Sequence, residues 1–408
     1  MAIEQWVSAL KKIGGSPLVV FTVTLATRFA ALFRLLPEHA WINFYPLNEP
    51  SHIAWAIVSG FGYSAPWPNT PIAATAQQPP AFPILLASIF KMAGAYSLPS
   101  LWIAVSLNAL FSALTAVMIL RLGRRDFGDW VGIVAAWVWA LWLYEVIVSI
   151  RLWESGVTAL LLVLALWWLP GLVESAGPGR WCWFGLLGGI AAQTNTTMLA
   201  IFPCFYAWLW LRAGKRGHTS RRWLYISVSI FALTLVPWTI RNYRAFGRLM
   251  PLRDNFGLEL WIGNRIGADE AHQYPSAFPL IDPTEYNQLG ELRFMELKQR
   301  QASEFIRQHP AEFLRLSGRR IARFWSEPKH SWWVAISLLA WIGLVLALRR
   351  EPPVAAPYAV VMLFFPLVYY ITHTFPTYRH PIEPVVILLA VFSLQRGLTI
   401  RGLASRSG

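Results

Sequence analysis

Ten runs of apolar residues dominate this chain and decide what it can fold into. They fall at 17–36, 99–120, 128–147, 155–173, 182–195, 197–211, 223–240, 332–348, 355–373 and 382–395. A helix that crosses a bilayer needs about 20 mostly apolar residues, and most of the runs reach or approach that length. The fifth and sixth are short and meet at Thr194-Asn195-Thr196, as two tilted helices or one broken pair. Of 408 residues, 56% are apolar and only 14% charged. Soluble domains carry roughly 25% charged residues, so soluble folds are excluded, and a disordered chain is excluded by the same figures. Two cysteines, Cys182 and Cys204, lie in predicted spans and read as packing residues, not as a disulfide scaffold. The expected fold class is an all-α polytopic membrane protein with about ten transmembrane helices.

The net charge of +14 would suggest a nucleic-acid partner in a soluble protein. Its placement gives it another meaning here. With the N-terminus inside, the cytoplasmic segments carry sixteen Lys and Arg, and the short outer loops carry only Arg151 and Arg379. Cytoplasmic loops are enriched in Lys and Arg. The charge therefore reports a topology with both termini cytoplasmic, and no nucleic acid is needed. Lys11 and Lys12 precede the first span and no small-residue cleavage site follows it, so it reads as a retained anchor. Two long segments, 37–98 and 241–331, fall outside. The chain 1–408 reads as a single transmembrane domain with these two external insertions. Trp41, Trp67, Trp238, Trp325 and Trp332 lie near span ends or in the insertions, where an aromatic belt would place them.

The first insertion holds Asn48-Glu49-Pro50, then Ile53, Ala54, Ile57 and Val58 at helical spacing, and Gly60-Phe61-Gly62. Proline at a first helical position is a start signal, so Glu49 sits at a helix N-terminus, and a short interfacial helix follows. Prolines 79, 80 and 83 break the chain before a second short helix at 84–92. The second insertion opens irregularly through Arg253-Asp254-Asn255 to Gly263-Asn264. Amphipathic helix follows from Glu285, is broken at His309-Pro310, and resumes over 311–326 with Arg315, Arg319, Arg320 and Arg323.

Ionisable residues in a membrane domain are costly and mark functional candidates. Arg28 lies in the first span, Glu154 opens the fourth, Arg241 follows the seventh, and Arg379 with His380 precedes the tenth. All but Arg28 gather at the outer face, with Glu49. Arg binds phosphate through a planar fork, and a carboxylate can take a hydroxyl proton in a transition state. Chemistry on a hydroxyl acceptor and a phosphate-bearing lipid follows. Each residue also has a plainer role. Glu49 could only cap a helix, and Glu154 could only pair with Arg151. Arg28, Arg241 and Arg379 could be snorkelling anchors or bundle partners, and His380 an interface residue. Asn195-Thr196-Thr197 matches a glycosylation pattern but lies between tight spans. No His/Cys cluster has metal spacing, so the sequence indicates no metal, and the cofactor stays unknown.

Several segments, in order, carry a resemblance. They are Asn48-Glu49, Gly60-Phe61-Gly62-Tyr63-Ser64, Thr75-Ala76-Gln77-Gln78-Pro79-Pro80, Pro237-Trp238, Arg241-Asn242-Tyr243 and Tyr378-Arg379-His380-Pro381-Ile382-Glu383-Pro384. The chain resembles bacterial GT-C-fold glycosyltransferases of the protein O-mannosyltransferase and aminoarabinose-transferase type. The resemblance implies a GT-C-like bundle in the bacterial inner membrane with its active site facing outward. It implies transfer of a sugar from a polyprenyl-phosphate carrier to a hydroxyl acceptor on a protein, lipid A or a glycan, by inverting single displacement. It places the catalytic acids at Glu49 and Glu154 and the carrier phosphate on Arg241 and Arg379. Tyr378, His380, Asn242 and Gln78, in the same segments, are the further substrate-binding candidates. Many relatives have two adjacent acids in the first loop; here the first is Asn48, which weakens the case for a divalent metal there. Two alternatives remain: a lipid-linked polysaccharide polymerase or ligase, and a lipid or sugar transporter. Transporters often show internal repeats, and none is visible here.

Overall fold

The computed structural model describes residues 13–35, 49–65, 67, 70–175, 177–213, 218–268, 282–326 and 331–404. Trp41, Asn48, Lys11 and Lys12 lie outside these residues. The described chain is nearly all helix, with one isolated antiparallel bridge between Ser64 and Ala74. In order the helices are α1 (Pro17–Leu35), α2 (Glu49–Val58), α3 (Ala81–Ala93), α4 (Leu98–Asp126), α5 (Asp129–Leu141) and α6 (Leu143–Ser149). Then come α7 (Ser155–Ser175), α8 (Pro178–Thr194), α9 (Met198–Ala213) and α10 (His218–Phe246). The second insertion contributes α11 (Phe256–Gly263), α12 (Pro283–Leu289), α13 (Glu291–Gln308) and α14 (Pro310–Trp325). The last elements are α15 (Ser331–Arg350), α16 (Pro352–Phe364), α17 (Leu367–Ile371), a 3-10 turn (Pro376–Ile382) and α18 (Glu383–Ala404).

Among the described residues, seven helical segments are long and apolar enough to span a membrane, or eight if the bent pair α5 and α6 is one span. The ten candidate runs thus become seven or eight full spans and two shorter helices. The shorter ones, α8 with 17 residues and α9 with 16, are the fifth and sixth runs. At 1.5 Å per residue they reach about 25 Å, short of a hydrocarbon core of about 30 Å. Asn195 separates them: its Oδ1 accepts from Thr197 N (3.0 Å) and Thr197 Oγ1 (2.7 Å), a local turn that competes with helix. Gly185 and Gly189 on α8 let α10 approach closely. A Cβ at the first would strike the Ser227 carbonyl, and one at the second the Thr234 hydroxyl. This is the small-residue packing of membrane helices.

The bend between α5 and α6 is 64°. Trp142 is extended there (φ −68°, ψ 111°), so carbonyls at the end of α5 lose their helical partners. Arg28 takes them. Its Nη1 donates to Ala140 O (2.5 Å) and its Nη2 to Trp139 O (2.8 Å), while Nε reaches Ser112 and Ser149 hydroxyls. A cation at a helix C-terminus also meets the negative end of the dipole. Arg28 is wholly buried, so it holds a broken helix and does not snorkel.

Two cores pack inside the bundle. The larger joins α4, α5, α7, α8, α9, α15, α16 and α18, and the smaller joins α2 and α3 to α4 and Leu32. A third, made of Trp67, Leu258, Ile262, Tyr286, Phe294 and Met295, ties the segment before α3 to α11, α12 and α13. The two long inter-span segments therefore share one core at one end of the bundle.

Candidate functional site

Glu49 begins α2 and is buried at 6% exposure, with Oε2 unpartnered among the described residues. Its own backbone N–H and the nearby Trp67 indole favour the ionised form. Burial, with a smaller push from the nearby Glu259 charge, raises this carboxyl to about 7, against the pull of Arg253. Glu154 lies just before α7, fixed by its carbonyl, which accepts from Thr158 N and Oγ1. Its Oε1 lies 3.5 Å from Asn195 Nδ2. Burial raises it too, to about 7, and again Arg253 opposes the shift while the Glu49 charge adds to it. One guanidinium thus sits within electrostatic reach of both acids.

Arg253 is held by the chain around it. Its Nε donates to Gln77 O (2.8 Å), and Nη2 stands 3.6 Å from Glu259 Oε1. Glu259, in the first turn of α11, also accepts from Asn255 Nδ2 (2.5 Å) and lies 3.3 Å from His373 Nδ1. His373 Nε2 is 3.0 Å from the Tyr378 hydroxyl, so a carboxylate, an imidazole and a phenol stand in line. Burial lowers the His373 pKa, with Glu259 opposing, so the ring is neutral at neutral pH. Tyr378 packs on Tyr369 at 4.9 Å between ring centroids. Gly263 permits this arrangement, because a Cβ there would strike the Thr372 carbonyl next to His373.

The other candidates sit elsewhere. Arg241, at the end of α10, donates to the Thr75 and Tyr63 carbonyls and lies over the Tyr63 and Trp238 rings at 5.2 and 5.0 Å. It fastens the segment before α3 to the bundle. Asn242 Nδ2 donates to Met250 O (3.0 Å) and Leu252 O (3.1 Å), closing the turn after α10. Gln78 is buried, and its carbonyl accepts from the Tyr63 hydroxyl at 2.8 Å. Arg379 is wholly buried, paired with Glu383, bonded through Nη1 to Ser337 Oγ (2.7 Å) and stacked over Trp333 at 4.0 Å. His380 Nδ1 is 2.6 Å from Glu145 Oε2, and the ring stacks on Trp139. Glu49, Glu154 and Tyr378 thus come together, while Arg379 and His380 enter a separate network inside the bundle.

Sequence reasoning missed Arg253, Glu259, His373 and Tyr369. Arg253 and Glu259 lie in a segment rich in charge, where one more ion carries no signal. His373 was detectable, since Thr372-His373-Thr374 interrupts the end of a predicted span. Among the described residues no group of three or more His, Cys, Asp or Glu is placed to hold a metal ion.

The chain shares the GT-C fold of the solved oligosaccharyltransferases to which it is similar. Residues 77–240 match the model of the family described as dolichyl-phosphate-mannose-protein mannosyltransferase. That window includes Glu154 and ends before Arg241. The chain is similar to the crystal structure of the Archaeoglobus fulgidus oligosaccharyltransferase in complex with Zn and sulfate. Identity is 15% and the TM-score 0.57, over 94% of this chain and 50% of that one. It is similar to the same organism's oligosaccharyltransferase AglB in complex with an inhibitory peptide and a dolichol-phosphate, at 13% identity and TM-score 0.56, over 96% and 51%. ArnT from Cupriavidus metallidurans, bound to undecaprenyl phosphate, aligns at 13% identity and TM-score 0.38, over 91% and 78%. The chain spans about half the length of the archaeal enzymes. No curated protein sequence matches it.

Proposed function

We propose that this chain is a membrane glycosyltransferase that moves a sugar from a polyprenyl-phosphate carrier to a hydroxyl acceptor on the outer face of the membrane. One observation carries the reading: two acids, buried Glu49 and half-buried Glu154, share one end of the bundle with Arg253, and Glu49 keeps an oxygen without a partner among the described residues. The partial match to a family of dolichyl-phosphate-mannose-dependent enzymes supports a lipid-phosphate donor. So does the fold shared with an enzyme solved with dolichol-phosphate.

The reaction is a single displacement. Glu49 carboxylate accepts the proton of the acceptor hydroxyl as its oxygen bonds to the anomeric carbon. The bond from that carbon to the carrier phosphate oxygen breaks, and polyprenyl phosphate leaves with the electron pair, inverting the carbon. Arg253 faces the charge that builds on the phosphate, where a fixed cation in a buried site contributes most. Glu154, with Asn195 beside its carboxylate, flanks the acceptor, and Tyr378 stands within electrostatic reach of Glu49. Arg241 holds the segment that carries Gln77 and Gln78, Asn242 holds the turn that leads to Arg253, and together they position the Arg253 contact. Arg379 and His380 brace the floor beneath. The outer-face orientation rests on the asymmetry of Lys and Arg between loops.

The experiment is Glu49→Gln, expressed to the wild-type level and tested for transfer from a polyprenyl-phosphate sugar. A deletion strain examined by mass spectrometry of lipids and envelope glycans supplies the donor and acceptor, as an accumulated carrier-sugar and an acceptor lacking its sugar. Loss of transfer in Glu49→Gln is expected; wild-type transfer would end the base assignment.

A further inference from the structure

A second feature lies at the opposite end of the bundle. Arg125 meets α7 at Leu166 and Trp167, twelve residues from Ser155 and so about 18 Å along that helix from Glu154. There the turn between α4 and α5 faces the turn between α15 and α16 across a cavity of about 240 Å³. Arg124, Arg125 and Arg350 line it together with the acids Asp126 and Glu351, and Phe127, Val354 and Phe392 form an apolar wall.

The three arginines are not equivalent. Arg125 is committed: Nε and Nη2 grip Asp126 at 2.7 and 2.8 Å, and Nη1 and Nη2 also donate to the Trp167 and Leu166 carbonyls. Asp126 accepts a third bond, from the Tyr358 hydroxyl at 2.5 Å. Its charge is therefore spent within the wall. Arg124 and Arg350 each turn Nε to an acid, Asp129 at 2.6 Å and Glu351 at 3.8 Å. Their side chains remain one-third and one-half exposed, with the terminal nitrogens unassigned. Between them the first N–H groups of α5 begin at Gly128, which makes no side-chain cap. Two forked cations, an uncapped helix start and an apolar wall meet at the end of spanning helices, where lipid head groups lie.

We propose that this cavity binds the head group of an anionic phospholipid, with Arg124 and Arg350 on the phosphate and an acyl chain against Phe127 and Phe392. Basic pockets between spanning helices suit such lipids because the guanidinium fork matches phosphate oxygens and the wall matches the tail. The apolar wall favours a lipid over a free anion.

The test uses the full-length protein in a neutral detergent, offered phosphatidylglycerol or phosphatidylcholine and examined by native mass spectrometry. At least tenfold greater retention of phosphatidylglycerol is expected. Arg124→Gln with Arg350→Gln should abolish that preference, and the paired Lys variants should keep most of it. Equal retention of both lipids by the native protein would overturn the proposal, as would an undiminished preference in the Gln pair. Inorganic phosphate is the third arm. If it displaces phosphatidylglycerol at equal concentration, the site takes a free anion and the lipid assignment fails. If the Gln pair does not fold, the native protein's choice between the two lipids still decides.

Discussion

Two groups of buried ions occupy this molecule, and they are built on opposite principles. Inside the bundle, Arg379 is matched by Glu383, His380 by Glu145, and Arg28 by the carbonyls of a broken helix. Near the inter-span segments, three carboxyls, Glu49, Glu154 and Glu259, stand around one guanidinium and a neutral imidazole. In the first arrangement each ion has its own counter-ion or dipole, although Glu145 Oε1, Glu383 Oε2, Arg379 Nη2 and His380 Nε2 have no hydrogen-bond partner among the described residues. The second carries a surplus of acid, three carboxyls to one guanidinium, and burial lifts two of them, Glu49 and Glu154, to about 7. Matched burial marks architecture; unmatched burial marks a place prepared for a reactant.

The largest separation between the two groups should come from Glu49→Gln. Removing a general base costs about 10²–10⁴-fold in rate, and that loss is expected in the transfer assay. Stability should not fall with it. Burial holds the folded Glu49 near 7 against 4.5 unfolded. The native state therefore binds this proton more tightly, and stability is lost as pH rises through that window. Gln does not titrate, so the variant's thermal midpoint at pH 8 should equal or exceed that of the native protein. A midpoint several degrees lower would place Glu49 with the structural ions.

Arg379→Ala should do the reverse. It leaves Glu383 buried without its partner, and breaking a buried pair costs about 3–5 kcal/mol. The protein should accumulate poorly, with a lowered thermal midpoint in detergent. Arg379→Leu combined with Glu383→Leu removes both charges and should recover much of that loss, because a hydrophobic replacement is often neutral. If the double variant is as unstable as the single one and binds carrier lipid poorly as well, Arg379 acts on substrate and the comparison fails.

Much of the fold was legible because membrane helices advertise themselves by length and apolarity. The exceptions have local causes. The runs at 182–195 and 197–211 are shortened by the Asn195 turn, and the run at 128–147 breaks at Trp142 because Arg28, distant in sequence, satisfies the opened carbonyls. Scarcity of charge singled out Glu49 and Glu154. It could not separate Arg241 and Arg379 from Arg253, since an arginine at a span end reads the same whether it clamps a backbone, pairs in a core or faces a cavity. That difference lies in contacts such as Arg241 with the Thr75 carbonyl, 166 residues away.

The pH profile should give a smaller but sharper result. Glu49 must be ionised to accept a proton, so transfer should fall about tenfold per unit as pH drops below about 7. The neighbours that move Glu49 act with opposite sign. Glu259 raises it and Arg253 lowers it. Glu259→Gln should therefore shift the acidic limb to lower pH, and Arg253→Gln should shift it to higher pH. Limbs that move together, or that do not move, would remove Glu49 as the group that titrates.

The smallest effect is expected from Arg241→Gln. Its guanidinium donates to two backbone carbonyls of the segment before α3 and packs on Tyr63 and Trp238. Hydrogen bonds to a charged group contribute about 1.5–3 kcal/mol, but Asp254 N and Glu291 also hold Ala76 of that segment. The loss should therefore appear as faster backbone hydrogen exchange over 73–78 and a transfer rate reduced severalfold, with the acidic limb of the pH profile unmoved. Arg253→Gln should be the more damaging of the two in transfer, because it faces the acids directly. If Arg241→Gln is instead the more damaging, and weakens carrier-lipid binding without altering exchange, then the phosphate lies on Arg241, and the boundary between clamp and site must be redrawn through α10.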